Sequence, residues 1–442
     1  MFGLARREMR FAFLISSTHL AQHFYLRLIP PLIPILAIVT EYPIWQLGLL
    51  VSVFYAGGGL SQAPLGVLAD RYDRRAILPA GIGVSAACYM VFPFAPALGV
   101  VLPDLSLLGY TFEGGFLVMS GLMLVSGIGN AVVHPAGYPM ISANVSSENK
   151  GKTLGIFGSS AKFGDAIPPL AIGALILVLA WDLILVILGL VGVLYSLALY
   201  VALGGDDYET VPETSEGTSD EESETKQRTD PRTYRYPMIV IFLFFVTKMF
   251  AANGVNTFVP AFVVAVYSYS FDVGGISLAP ESVANFYFAA LLICGAVSQL
   301  FLGALTDRFD PRLVLLGGVS VGTVVLVVLG SLDLSPVTLL LVMIVLGTSL
   351  WGISPARDAL ISEITPPERE GRTFGYFWTA VNLTGAMMPV LVGYLIETVG
   401  MREAFTMLAL GTVLAGGTIS LLFTSRVYRT GRETPIDADT TD

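Results

Sequence analysis

Charge is what this chain has least of. Of its 442 residues only 13% are Asp, Glu, Lys or Arg and 54% are hydrophobic, where a soluble domain carries about 25% charged residues. A soluble globular fold is excluded. Cysteines number two, Cys88 and Cys294; both fall inside apolar runs with no metal-ligand spacing, so they read as buried thiols and no metal is expected. No glycine-rich phosphate loop or nucleophile motif stands in the sequence, which removes the usual grounds for an enzyme and for any cofactor. Short alternating segments of the kind that build a membrane β-barrel are missing as well. The net charge of −10 argues against a nucleic-acid partner.

What the chain does have is apolar runs long enough to cross about 30 Å of hydrocarbon as helices. Twelve can be marked, from 11–39 at the start, through 153–180 as the fifth, to 403–424 at the end. Most of the 24 Lys and Arg fall at the N terminus, in alternate loops and in the C-terminal tail, whereas Arg402 faces acids such as Glu41, Asp104, Glu113, Asp272 and Glu403 in the other loops. Basic loops stay inside, so both termini are expected in the cytoplasm. The opening Met1–Arg7 leads into a long span without a small-residue cleavage site and reads as an anchor. Residues 204–236 are rich in Thr, Ser, Glu and Asp without an apolar period, as expected for a flexible acidic linker. The expected domains are therefore a first bundle at 1–203, the linker at 204–236, a second bundle at 237–425 and a tail at 426–442. Acids from Asp206 to Glu224 and from Asp437 to Asp442 give a surface typical of salt-loving organisms.

The halves repeat each other. Gly66-Val67-Leu68-Ala69-Asp70-Arg71-Tyr72-Asp73-Arg74-Arg75 returns as Gly303-Ala304-Leu305-Thr306-Asp307-Arg308-Phe309-Asp310-Pro311-Arg312. Ala21-Gln22-His23 falls on Ala251-Ala252-Asn253, and Gly127 through Gly173 falls on Gly347 through Gly393, with Pro135 on Pro355 and Pro169 on Pro389. Loop insertions are expected near 95–115 and 267–277. Such internal symmetry is the signature of a transporter built from two related bundles. The hinge resembles the loop between the second and third helices of major facilitator superfamily transporters. That resemblance covers nearly the whole chain and implies an all-α integral membrane fold, twelve transmembrane helices in two pseudo-symmetric six-helix bundles, usually monomeric. It implies access that alternates as the bundles rock. Gly66 is expected to let helices approach, and Asp70 to cap the next helix and hold Arg71 or Arg75. The resemblance makes Gly66, Asp70, Arg71, Arg74, Arg75, Asp307, Arg308 and Arg312 a conformational latch; a purely topogenic role for the positive charge is the competing reading. Pro30, Pro31 and Pro34 in the first span, and Pro168 and Pro169 in the fifth, are expected bend points.

Ionisable groups inside membrane helices are costly, so each is a functional candidate. His19, His23 and Arg27 are spaced by four on one face of the first span. His134 precedes Pro135 in the fourth, Lys162 and Asp165 stand in the fifth, Lys248 and Asn253 in the seventh, Arg357 and Asp358 in the tenth, and Asn382 in the eleventh. Spans 1, 4, 7 and 10 line the cavity in the family resembled, and their excess of basic groups suits an anion. Arg27 and Lys248 are the expected clamp, with His23, His134, Asn253 and Asn382 as further substrate-binding candidates. The alternative is that each cation pairs with an acid or snorkels to the interface. Asp165 is the leading proton carrier, with Lys162 and His134 beside it in that role; a local Lys162–Asp165 pair that neutralises both is the rival reading. Arg357 and Asp358, near the cytoplasmic end, are expected to form a gate.

The run His19-Leu20-Ala21-Gln22-His23-Phe24-Tyr25 with Ile29-Pro30-Pro31, and Gly127-Ile128-Gly129-Asn130-Ala131-Val132-Val133-His134-Pro135, resemble fosmidomycin-resistance-type efflux proteins. This implies proton-driven export of small anionic or amphiphilic solutes. The pattern departs from those relatives at Gln22-His23-Phe24, where they carry an Asn-Asp pair, at the added Arg27, and at Pro168-Pro169, where the antiporter signature ends in Gly-Pro. Uptake of organic anions by proton symport, cation export, facilitated diffusion and a non-transporting receptor remain alternatives at this stage.

Overall fold

The computed structural model describes residues 4–204, 207–212, 231–365 and 370–424; most of the expected linker and the tail at 426–442 lie outside the described residues. The described chain is helical apart from two short hairpins, β1 (Leu105–Leu107) with β2 (Tyr110–Phe112) and β3 (Phe271–Val273) with β4 (Ile276–Leu278). Both hairpins sit where insertions were expected. Each turns on two residues with positive φ, Leu108 and Gly109 in one and Gly274 and Gly275 in the other, the pattern of the tight hairpin turns whose twist matches the strands.

Eleven helices or broken helix pairs among the described residues are long and apolar enough to cross a membrane. The twelfth expected span is helix α8 (Ser147–Leu175), which composition alone does not qualify because Lys150, Lys152, Lys162 and Asp165 interrupt it. It is helical all the same and packs along α1 (Arg6–Leu26). Burial of one face against a partner, more than propensity, holds a helix of this composition.

Proline decides where spans break. The first divides into α1, a 3-10 turn at Pro30–Leu32 and α2 (Ile33–Thr40). The fourth divides into α6 (Gly114–Asn130) and α7 (Val133–Asn144). The tenth divides at the matching point into α13 (Pro336–Trp351) and α14 (Ser354–Ile364). Pro135 and Pro355 each exclude the carbonyl four residues back, at Ala131 and Trp351, and the helix ends there. Pro168 and Pro169 stand inside α8, which continues through both, and their buried face packs there against neighbours that offset the lost backbone bonds.

By internal contacts the chain forms two compact units. The first gathers the described residues within Met1–Thr214, Asn256–Ile293 and Ala386–Met401; the second gathers those within Ser215–Val255, Cys294–Gly385 and Arg402–Asp442. The first unit thus includes the ends of α10 (Pro231–Val266) and α15 (Glu370–Val399) and the start of α11 (Pro280–Thr306). Its seam is close: Asn285 Nδ2 donates to the Pro31 carbonyl oxygen at 3.2 Å, and the Val390 amide donates to Ser52 Oγ at 3.1 Å. The second unit has its own core of Phe244, Phe245, Leu315, Val319, Leu360 and Ile361 with neighbours.

Candidate functional site

The residues that matter most stand where α1 crosses α8. Four-residue spacing puts His19, His23 and Arg27 on one face of α1 and its capping residue, and Gly164 lets α8 come close. A Cβ at Gly164 would lie 2.4 Å from the Leu20 carbonyl oxygen and 2.8 Å from the His23 Cβ, so only glycine permits this crossing. The next residue, Asp165, is thereby delivered to the α1 face. Arg27 Nε donates to Asp165 Oδ1 at 2.9 Å, and His23 Nδ1 approaches the same oxygen at 3.1 Å. Arg27 also donates through Nη1 to the Tyr55 hydroxyl at 3.2 Å, from α3 (Ile44–Ala69). Arg27 and Asp165 are both buried, at 7% exposure each.

This arrangement answers the question left open about Asp165. Its ion-pair partners include Arg27 and His23, from another helix; Lys162, three residues earlier, acts on it electrostatically as well. A buried carboxylate and guanidinium are tolerated together because each compensates the other's desolvation. The pair also unites two residues expected to do separate jobs, Arg27 as substrate clamp and Asp165 as proton carrier.

His134 comes to the same place from α7. Its ring lies 5.0 Å from that of His19, which in turn lies 4.9 Å from that of His23. His19, not among the expected site residues, bonds the Phe157 carbonyl oxygen through Nδ1 at 2.7 Å. Gln22 and Asn130 tie α1 to α6 reciprocally: Gln22 Nε2 donates to the Asn130 carbonyl at 3.0 Å, and Asn130 Nδ2 to the Gln22 carbonyl at 3.1 Å. Tyr55 has no sequence signal that would have found it, while Gln22 and Asn130 stand inside the repeated motifs.

The other candidates lie in the second unit. Lys248 and Asn253 are buried on α10, and Asn253 Nδ2 donates to the Gly385 carbonyl at 3.0 Å. Asn382 is half-buried on α15. Arg357 and Asp358, on α14, bond one another side by side at 2.8 and 2.9 Å, with the Arg357 guanidinium 4.9 Å from the Phe245 ring.

The two hinges correct three expectations. Asp70 does not cap the following helix: it ends α3 with its side chain 73% exposed, and its ion-pair contact is a long one of 3.8 Å to Arg74 rather than to Arg71 or Arg75. The cap is Asp73, which accepts from the Arg75 amide at 2.9 Å, and Asp310 does the same for Arg312 at 2.8 Å. An N-cap must immediately precede the first helical turn, and α4 (Arg74–Val91) and α12 (Pro311–Ser331) begin right after these residues. Nor does Gly66 mediate a close approach, since a Cβ there would meet nothing within 4 Å. Arg75 donates to the Tyr200 carbonyl and covers its ring at 4.6 Å, while Arg312 donates to the Leu422 carbonyl and sits 5.0 Å from the Phe423 ring. Each hinge is thus bolted to the last helix of its own half. Arg71, Asp307 and Arg308 are exposed. The Arg312 guanidinium beside Asp310 holds that carboxyl below its usual range.

A repeated set of apolar helices with an ion pair buried in one of them is the architecture of a multi-pass membrane transporter. The Major Facilitator Superfamily model matches residues 15–280 and 277–440, and the chain belongs to that family. Among curated relatives, the "Probable L-galactonate transporter" of Escherichia coli (strain K12) is 22% identical over 396 residues, covering 86% of this chain and 81% of that protein. An MFS-type transporter of Bacillus subtilis (strain 168), YfnC, is 23% identical over 421 residues, covering 93% and 92%. Among solved structures, a bacterial homologue of the human lysosomal transporter Spinster, inward-facing and occupied, superposes with a TM-score of 0.75 at 15% identity, covering 98% of this chain and all of that one. A D-xylose-proton symporter gives 0.74 at 14% identity, covering 96% and 99%. At these identities the structural likeness speaks for the fold alone.

Proposed function

We propose that this protein moves a small organic anion together with a proton across the plasma membrane by alternating access, as a monomer with both termini in the cytoplasm. The observation that carries the reading is the Arg27–Asp165–His23 constellation, in which two partners meet one carboxylate oxygen. With His23 neutral, Arg27 and Asp165 cancel. A proton added to the site, where Lys162 also acts on Asp165, adds one positive charge in a low-dielectric setting, and an anionic substrate is what offsets it. Proton and anion therefore favour each other's binding, which is the linkage of a symporter. Export by exchange, which the first span's resemblance implies, requires proton and substrate to displace each other; a proton and an anion that neutralise each other's charge favour symport instead. Sugar acids are the first class to test, given the name of the E. coli relative. Lys248, Asn253 and Asn382 supply the second half's contribution to substrate binding, the hinge residues act as the latch, and Arg357–Asp358 as a gate on the cytoplasmic side.

The test is proton movement in proteoliposomes holding a pH dye, on addition of L-galactonate and gluconate, then small phosphonates, then a lipophilic cation. Acidification with the anions that disappears in Asp165→Asn supports the proposal. A response to the cation alone, or anion flux with no proton movement, overturns it.

A further inference from the structure

The chain has three histidines, and all three meet at one place in the first unit. His19 Nδ1 faces the Phe157 carbonyl oxygen at 2.7 Å; a carbonyl only accepts, so Nδ1 carries the hydrogen and Nε2 keeps a lone pair. His23 Nδ1 faces Asp165, whose anionic form Arg27 supports, and the same reasoning leaves the His23 Nε2 basic. His134 Nδ1 is buried without a hydrogen-bond partner. The rings stand edge-on, His19 to His23 at 4.9 Å and 77°, His19 to His134 at 5.0 Å and 75°. Beyond His134, Tyr138 stacks on it at 5.5 Å and is 47% exposed. The series has a direction. Arg7 at the start of α1 reaches Asn144 at the end of α7, so His134 and His19 lie toward the membrane face that carries the N terminus, and Asp165 lies deeper.

We propose that His19, His23 and His134 form one proton-holding cluster, in which a single added proton is shared among three imidazoles and passed between the Asp165 site and the membrane face that carries the N terminus. This rests on the proton-coupled reading above and names where that proton resides. Each transfer forms an N–H bond at one ring's lone pair as the N–H bond of the neighbouring imidazolium breaks, so only a proton moves. His134 Nδ1 has no hydrogen bond to give up, whereas the Phe157 carbonyl anchors His19 as the fixed middle member. The charged and titratable groups facing the cluster are Arg27 from α1, Lys162 and Asp165 from α8, Tyr138 from α7 and Tyr55 from α3. Two imidazolium charges about 5 Å apart, at an effective dielectric of about 20, separate successive protonations by roughly two pH units. One proton is therefore held where isolated rings would take three.

Because there are only three histidines, the full-length protein labelled with ring-15N histidine, purified through a histidine-free tag into nanodiscs, reports on the cluster directly. The expected result is that all three signals shift together in one transition with a total uptake near one proton, and that in His134→Gln one proton is still taken up, now divided between the remaining two. Three independent single-site curves in the wild type, or no titration between pH 4 and 9, overturn the proposal, and this wild-type result stands even where a variant does not fold. The measurement uses no substrate, so its failure is distinct from a failure of the anion-flux assay.

Discussion

In the first half His23 meets the Asp165 carboxylate at 3.1 Å; at the matching place in the second half Asn253 donates to the Gly385 carbonyl at 3.0 Å. In the register set by Ala21-Gln22-His23 on Ala251-Ala252-Asn253 and by Gly127–Gly173 on Gly347–Gly393, the correspondence extends further. Arg27 falls on Thr257, Lys162 on Asn382, Asp165 on Gly385, His134 on Ser354 and His19 on Met249. The crossing of two helices is kept while every ionisable group in it is replaced by a neutral one. A carboxamide and a backbone carbonyl make the same helix-to-helix bond that a histidine and a carboxylate make in the other copy, at far lower desolvation cost. The lesson is that the bond as such is scaffold, and the charge in the first copy is there for something the second copy does not do.

The sharpest way to break the comparison is to leave one charge behind. Arg27→Gln leaves the buried Asp165 carboxylate without its guanidinium partner, and a loss of about 3–5 kcal/mol is expected, the usual cost of removing one partner of a buried pair. Giving the first half the second half's identities, Arg27→Thr with Asp165→Gly, should recover most of that stability while abolishing proton movement. Thermal unfolding midpoints of the single and double variants, measured in the same detergent, check this; a double variant as unstable as Arg27→Gln would mean that the two copies are not interchangeable as scaffold.

A smaller effect is expected at the residue that makes the crossing possible. Gly164→Val forces a side chain against the Leu20 backbone, and overpacking of this kind costs about 1–3 kcal/mol. It should also uncouple protons from flux, because Asp165 rides on the same turn. The matching position is Thr384, whose hydroxyl already bonds back to the Ala380 carbonyl at 2.8 Å, so Thr384→Val should stay within about 1 kcal/mol. Equal losses at the two positions would remove the geometric argument for Gly164.

How much of this was legible beforehand follows from which forces act locally. The spans, their repeat and the breaks before Pro135 and Pro355 depend on runs of apolar side chains and on missing amide hydrogens, which any reader of the chain can see. The His19–His23–Arg27 face followed from spacing alone. What spacing does not reveal is the partner. Asp165 has Lys162 three residues away as the obvious mate, and Arg27 and His23 join it through a helix crossing that the lack of a side chain at Gly164 permits. Hinge capping was misassigned for a similar reason: Asp70 and Asp73 both precede the helix, and only the point where α4 begins separates them. Tyr55 enters from α3 with nothing in its neighbourhood to mark it.

Where the halves agree, parallel substitutions should agree too. Arg75→Ala and Arg312→Ala each remove a carbonyl bond and a guanidinium laid over a ring, on Tyr200 and Phe423. Both sites are partly exposed, so each should lose about 0.5–1 kcal/mol, with flux reduced rather than abolished. Unequal losses beyond that range would show that one hinge does more than fasten its own bundle.

The smallest expected effect isolates charge from capping at Asp310. Asn caps a helix about as well as Asp, so Asp310→Asn keeps the bond to the Arg312 amide and removes only the ion pair. Arg312 lowers the Asp310 carboxyl below its ordinary value in the folded protein. A depressed folded value means that the group stabilises the fold above its unfolded pKa and that this contribution is lost as pH falls through the folded one. The side chain is 29% exposed and the pair is screened by solvent, so the contribution at neutral pH is about 0.5 kcal/mol. Unfolding midpoints of wild type and Asp310→Asn should therefore differ slightly at pH 7 and converge below about pH 4, where the wild-type carboxyl takes up its proton. If the gap widened on acidification instead, the stabilisation would belong to the protonated form, and the ion pair would be the wrong account of this hinge.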